Sequence, residues 1–313
     1  MIEMPSVPQY VTRFYRDLDF ALDVVANRQI TFVGVSTLND PFDPYFFMET
    51  DFGGSRNVLL KHIAAEHPQD LTWFKANITD DWWQDAMTAL KEYYSRERSG
   101  MFVFSTCAES ADFHPRDNLY MWGHYGNGHR GVAIEFDTAK LKSSLLESST
   151  FPGESESLKD VLWTKIEYRK EIPRFPAEEY YQFIMHKQNA VSESDRPENR
   201  EPTALGRHIK FLDRVKSDVW EHENEWRLMC SSTTHMKIFR CPISADSIKT
   251  ITMGLKSSEE AHSNFAAEAV ENFPQAVVFR AKKREGFLLD FERIFHPTPT
   301  SSQQPPETPP GSP

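Results

Sequence analysis

The chain has 313 residues, 39% of them hydrophobic and 26% charged, which is enough apolar material for a sizeable core and unlike a chain disordered throughout. A net charge of −11 argues against a general polyanion binder, because affinity for nucleic acid comes largely from Lys and Arg neutralising phosphates. Cys107, Cys230 and Cys241 are too few and too separated for a disulfide framework or a cysteine zinc site, so a reducing, cytoplasmic compartment is expected. No run of about 18 apolar residues occurs, and MIEMPSVPQY lacks a basic region leading into an apolar stretch; neither a membrane span nor a secretory signal is expected.

Taken in chain order, Leu18, Ala21, Leu22 and Val25 recur at helical spacing after Asp17, and TFVGV (31–35) reads as a buried strand. LNDPFDPYF (38–46), with two prolines and Asn-Asp, reads as a structured loop. Residues 56–97 are mainly helical by pattern, with Trp73, Trp82 and Trp83 as packing residues, and MFVFSTC (101–107) is a strand. DNLYMWGHYG (117–126) reads as a short helix capped by Asn118 or Asp117 and closed by Gly126, leading into the strand GVAIEFD (131–137). Two polar stretches, 147–157 and 192–202, read as surface insertions.

Leu205, Ile209, Leu212, Val215 and Val219 form a helical stripe over 203–219 that delivers the chain to WEHENEWR (220–227). Beyond it, strands are expected at 236–240, 247–253, 277–281 and 286–292, with a helix near 257–271. Strands in a run with helices inserted irregularly predict one α+β domain over residues 1–295, a mixed, split antiparallel sheet surrounded by helices. The last 18 residues hold seven prolines, so 296–313 is expected to be a disordered, polyproline-like tail able to recruit a partner.

WEHENEWR draws attention as a site. Were 221–228 extended, Glu221, Glu223, Glu225 and Arg227 would share one face, and like charges so spaced are tolerated where a carboxylate must meet a cation or a substrate hydroxyl. A solvated face of an edge strand accounts for the same pattern. Trp122 and Tyr125 sit three apart on one helical face, placed either to clasp a planar ring or to anchor the helix. His114, His124 and His129 show no metal-ligand spacing, and no metal is expected. The dinucleotide, P-loop and nucleophile-elbow signatures are absent.

Four blocks, VTRFYRDLDFALDVVANRQITFVGVSTLNDPFD, FVFSTCAES, NLYMWGHYGNGHRGVAIEFD and KSDVWEHENEWRLM, together resemble the bacterial domain of unknown function 2971 family, which is similar in turn to some abortive-infection phage-resistance proteins. A further resemblance is to ADP-ribosyltransferases of the Arg, Ser-Thr-Ser, Glu-x-Glu type. Arg13, then Ser105-Thr106-Cys107, then Glu223-Asn224-Glu225 follow that order, with Cys107 in place of the final Ser.

The second resemblance implies an ADP-ribosyltransferase-like fold and NAD as the consumed substrate. Arg13 would hold the NAD phosphates, Ser105 with Thr106 would brace the catalytic glutamate, Glu225 would meet the nicotinamide ribose, and Glu223 would orient a protein or nucleic-acid acceptor. Asn39 and Asp40 of LNDPFD, with Trp122 and Tyr125, are candidates to frame the cofactor pocket. Two other readings compete with it. One is a non-catalytic sensor of a defence system; the other is a Mg²⁺-dependent nuclease or phosphoesterase built on Asp40, Asp43 and the glutamates, since hard oxygen ligands suit that ion.

Overall fold

A computed structural model describes residues 6–38, 43, 52–110, 113–147, 159–189, 214–231 and 237–295. Asn39, Asp40, most of both polar insertions and the Pro-rich tail lie outside the described residues. In chain order the elements are β1 (Tyr10–Tyr15), α1 (Leu18–Asn27), β2 (Gln29–Gly34), α2 (Phe52–Glu66), α3 (Leu71–Asn77), α4 (Asp80–Ser99) and β3 (Met101–Ala108). Then come α5 (Leu119–His124), β4 (Val132–Asp137), α6 (Thr138–Glu147), β5 (Lys159–Lys165), β6 (Glu167–Arg169) and α7 (Ala177–Asn189). The last are β7 (Val215–Ser217), β8 (Glu225–Ser231), β9 (Ile238–Pro242), β10 (Ile248–Met253), α8 (Glu259–Asn272), β11 (Val277–Lys283) and β12 (Leu289–Phe295). Helices combined with mostly antiparallel strand pairing give the expected mixed architecture.

Two compact units divide the chain. Unit 1 takes 1–8, 30–108 and 145–241. Its strands run in the order β9-β2-β3-β8-β5, with β2–β3, β3–β8 and β8–β5 antiparallel. β8 is therefore paired on both sides. The register sets Val103 opposite Met229, Ser105 opposite Arg227 and Cys107 opposite Glu225, and alternation puts these odd-numbered residues on one sheet face. Val103 and Met229 on that face join a core with Leu59, Ile63, Phe74, Trp83, Leu90 and Tyr180 of the surrounding helices. Each fully buried large apolar side chain there stabilises the unit by roughly 1.5–3 kcal/mol. Trp83 is fully buried, while Trp73 and Trp82 pack at the margin. On β2, β3 and β9, Phe32 stacks on Phe239, which also meets Phe102 edge-on.

Unit 2 takes 9–29, 109–144 and 242–313. Its strand order is β1-β4-β10-β11-β12, all antiparallel except β10–β11, which is parallel and joined through α8. The Asp17 side chain caps α1 by accepting from the Asp19 amide. Asn118 caps α5, accepting from the amides of Tyr120 and Met121, and the Gly126 amide donates to Met121 O. At Gly131 a Cβ would lie 2.1 Å from the Tyr15 carbonyl oxygen, so the turn into β4 demands glycine.

Three expectations need correction. Val215–Ser217 is a strand, not the end of a helix. Asp218–Glu223 is a 3-10 turn, and Asn224 takes a left-handed conformation at φ 43° before β8 begins at Glu225. Glu221 through Leu228 is thus not one continuous alternating strand. Nor does β8 lie at a sheet edge, so the solvated-edge account of its charges fails.

A buried five-charge candidate site

The 3-10 turn and Asn224 together place Glu223 and Glu225 side by side despite the break in the strand. Asn224 holds the bend against the end of β3, its side-chain amide donating to Ala108 O while the Ala108 amide donates to Asn224 O. Asparagine suits this position because its short polar side chain makes the left-handed conformation affordable. The parallel pair β6–β7 puts Tyr168 opposite Lys216, and the Glu225 amide donates to the Tyr168 hydroxyl at 2.8 Å.

Lys216 Nζ donates to Glu223 Oε2 at 2.7 Å and Glu225 Oε2 at 3.1 Å and lies 3.7 Å from Asp43 Oδ2. Arg227 Nε donates to Glu225 Oε1 at 2.7 Å, and its Nη2 donates to Glu225 Oε2 at 3.1 Å and to Asp43 Oδ2. Lys216 also sits 5.3 Å from the centre of the Trp220 ring, a cation–π contact. All five charged residues are buried, Arg227 to 1% exposure. Three carboxylates thus share two cations in a dry setting, where each charge persists only because the others are there.

Burial alone would raise the Glu225 pKa, but the Arg227 guanidinium and the Lys216 ammonium, aided by hydrogen bonds from Arg227 and the Ser105 hydroxyl, bring it down to about 2. Burial works against the Lys216 charge, yet Glu225, Glu223 and Asp43 push its pKa up. Burial, reinforced by Glu223 and Glu225, pushes the Cys107 thiol up, so Cys107 stays an unreactive thiol. Among the described residues, nothing hydrogen-bonds Arg227 Nη1 or Asp43 Oδ1. A buried donor and a buried acceptor left open in one cluster are groups that a polar ligand can satisfy. The segment running on from Tyr168, Arg169 to Arg174, lines an open concavity of about 450 Å³ that carries Arg169, Lys170 and Arg174.

Of the residues expected at the site, Ser105, Glu223 and Glu225 come together in unit 1. Thr106 points to the opposite sheet face by alternation and donates to Trp226 O at 2.8 Å. Arg13, Trp122 and Tyr125 belong to unit 2. Arg13 faces Ile134 in the β1–β4 register and lies over the Tyr15 ring. Trp122 is fully buried, edge-on to Phe14 and stacked with His129, its Nε1 donating to Arg116 O. His114 is paired with Glu135 at 2.8 Å. Lys216 and Tyr168 were not expected at the site. A lysine at the end of an apolar stripe carries no local sign of burial, because its ion pairs depend on the 3-10 turn and the strand pairing that follow it.

The fold and this cluster define a mixed α/β protein with a mostly antiparallel sheet and a buried ionic centre on one strand face. The family model described as protein of unknown function (DUF2971) matches residues 121–228. That stretch shows the resemblance to the domain of unknown function 2971 family over most of the third and fourth sequence blocks, while the first two blocks lie outside it. No curated protein and no solved structure matches it. No helix among the described residues is long and apolar enough to cross a membrane.

Proposed function

We propose that the chain is an NAD-consuming ADP-ribosyltransferase working in the cytoplasm on a protein or nucleic-acid acceptor, with phage defence as its setting and the Pro-rich tail as a docking segment. One observation carries this reading. Ser105 on β3 hydrogen-bonds Glu225 at the head of the neighbouring strand β8, with Glu223 held beside it by Lys216, the brace that the Glu-x-Glu resemblance calls for.

In the reaction, the bond between the nicotinamide nitrogen and ribose C1′ breaks and nicotinamide leaves with the electron pair. Positive charge develops on the ribosyl C1′ and ring oxygen. An acceptor oxygen or nitrogen then bonds to C1′ and gives up its proton. A carboxylate fixed in place and ionised at neutral pH stabilises that charge without reorganising, and Glu225 meets both conditions. Glu223, held by Lys216, would orient the acceptor and take up its proton. Arg227 Nη1 and Asp43 Oδ1, which nothing among the described residues engages, offer a donor for phosphate and an acceptor for a ribose hydroxyl.

A second reading, a non-catalytic role in sensing or interaction, draws on another observation. Both oxygens of Glu225 are already engaged by Arg227 and Lys216, so the cluster equally serves to lock β6, β7 and β8 together. Nicotinamide release by wild-type protein, in the presence of lysate acceptors, separates the two. The transferase reading predicts turnover that falls on the order of 100-fold or more in folded Glu225→Gln. No turnover by the wild type, with Glu225→Gln altering stability alone, would overturn the transferase reading and favour the interaction reading.

A further inference from the structure

A second cluster in unit 1 joins α2 to α7. His62 lies on α2, His67 directly follows that helix, and Glu178 lies in the first turn of α7. His62 Nε2 is 2.6 Å and His67 Nε2 3.2 Å from the same oxygen, Glu178 Oε2. One ligand atom from each residue falls within 4.8 Å of the others. Five residues apart, the two histidines would point away from each other on a continuous α-helix. Here α2 stops at Glu66, and His67 turns out of helical geometry at φ −134°, which brings its ring back beside that of His62, 5.6 Å away between centroids.

The surroundings orient all three groups. Gln182 Nε2 donates to Glu178 Oε1 at 2.6 Å, committing that oxygen and leaving Oε2 to face the histidines. The Tyr181 ring stacks on His67 at 3.9 Å between centroids, and its hydroxyl donates to Asp70 Oδ2 at 2.8 Å, fixing the imidazole plane. Supporting contacts of this kind are what hold metal ligands in place.

We infer that His62, His67 and Glu178 form a binding site for a divalent transition-metal ion of the zinc class, which bridges α2 and α7. Two imidazole nitrogens and one carboxylate oxygen suit such an ion better than Mg²⁺ or Ca²⁺, which prefer all-oxygen shells. Around a tetrahedral ion with bonds of about 2.0–2.2 Å, ligand atoms stand roughly 3.3–3.5 Å apart. The His67 separation of 3.2 Å already approaches this value, and His62 at 2.6 Å needs to withdraw by less than about 1 Å. Side-chain exposures of 22% for His62, 24% for His67 and 41% for Glu178 give the ion a path in and a fourth position open to water. The site is independent of the NAD reading, sharing no residue with the Glu225 cluster.

The test uses untagged full-length protein stripped with a chelator. Zn²⁺ is titrated in competition with a chromophoric chelator, and Co²⁺ binding is followed by its visible absorption. The expected result is one equivalent bound at micromolar affinity or tighter, intense tetrahedral Co²⁺ bands, and a higher Tm with zinc. His67→Ala and Glu178→Gln should each weaken binding by about 100-fold, the scale on which such sites depend on their ligands and supports. His114→Ala, outside the cluster, should leave it unchanged. Glu178→Gln alters a partly exposed, nearly isosteric side chain, so the fold survives it, and the wild-type Co²⁺ spectrum needs no variant. No binding in the micromolar range, octahedral Co²⁺ spectra, or full binding by both ligand variants would overturn the inference.

Discussion

Removing the Arg227 guanidinium would leave the Glu225 and Asp43 carboxylates facing Lys216 alone in a buried setting. Breaking a buried pair from one side costs about 3–5 kcal/mol, so Arg227→Met is expected to lower stability by that amount in urea titrations at pH 7. Glu225 makes a second prediction at this scale. Despite its burial, Arg227 and Lys216 hold its carboxyl down to about 2, below the ordinary value of 4.5. A depressed folded pKa contributes stability that is fully present above the unfolded value and is lost as pH falls through the folded one. Between about pH 5 and pH 2 the wild type should lose on the order of 3 kcal/mol that Glu225→Gln, already weaker at neutral pH, does not lose. Parallel curves for the two proteins over that range would contradict the ionic assignment.

The elements of the fold were legible to different degrees. β2, β3, β4 and β9 to β12 are short apolar or alternating runs bounded by turn residues, so periodicity found them, and Asn118 announced α5 as its cap. β6 and β7 have three residues each, too few for any period, and β7 hides at the end of an apolar stripe that reads as helical. In WEHENEWR, period two correctly joined Glu225 to Arg227 but not Glu223 to Glu225. Those two meet because Asn224 bends the chain against Ala108, more than a hundred residues earlier, a contact with no local signature. Asn224→Ala should therefore cost about 1–2 kcal/mol, the penalty of a left-handed alanine, plus the lost amide contact. Asn224→Gly should recover the conformational part, and thermal melts of the two variants would show the difference. His62 and His67 escaped notice for a related reason, since their spacing matches no helical ligand pair until α2 ends.

At the scale of the whole molecule, a chain of net charge −11 buries a centre in which three carboxylates share only two cations, Lys216 and Arg227, leaving one negative charge in excess. All three cysteines are buried free thiols. The resemblance over residues 121–228 takes in Trp122 in unit 2 and Glu225 in unit 1, so the matched stretch is not confined to one unit. On the proposed transferase reading, Glu225 of WEHENEWR is the carboxylate held ionised for NAD cleavage. The most direct test is nicotinamide release from NAD by wild-type protein and by Glu225→Gln of equal secondary-structure content. Steady release by the wild type and a loss on the order of 100-fold in the variant are expected; equal release by both proteins, or none from the wild type with acceptors present, would overturn that reading.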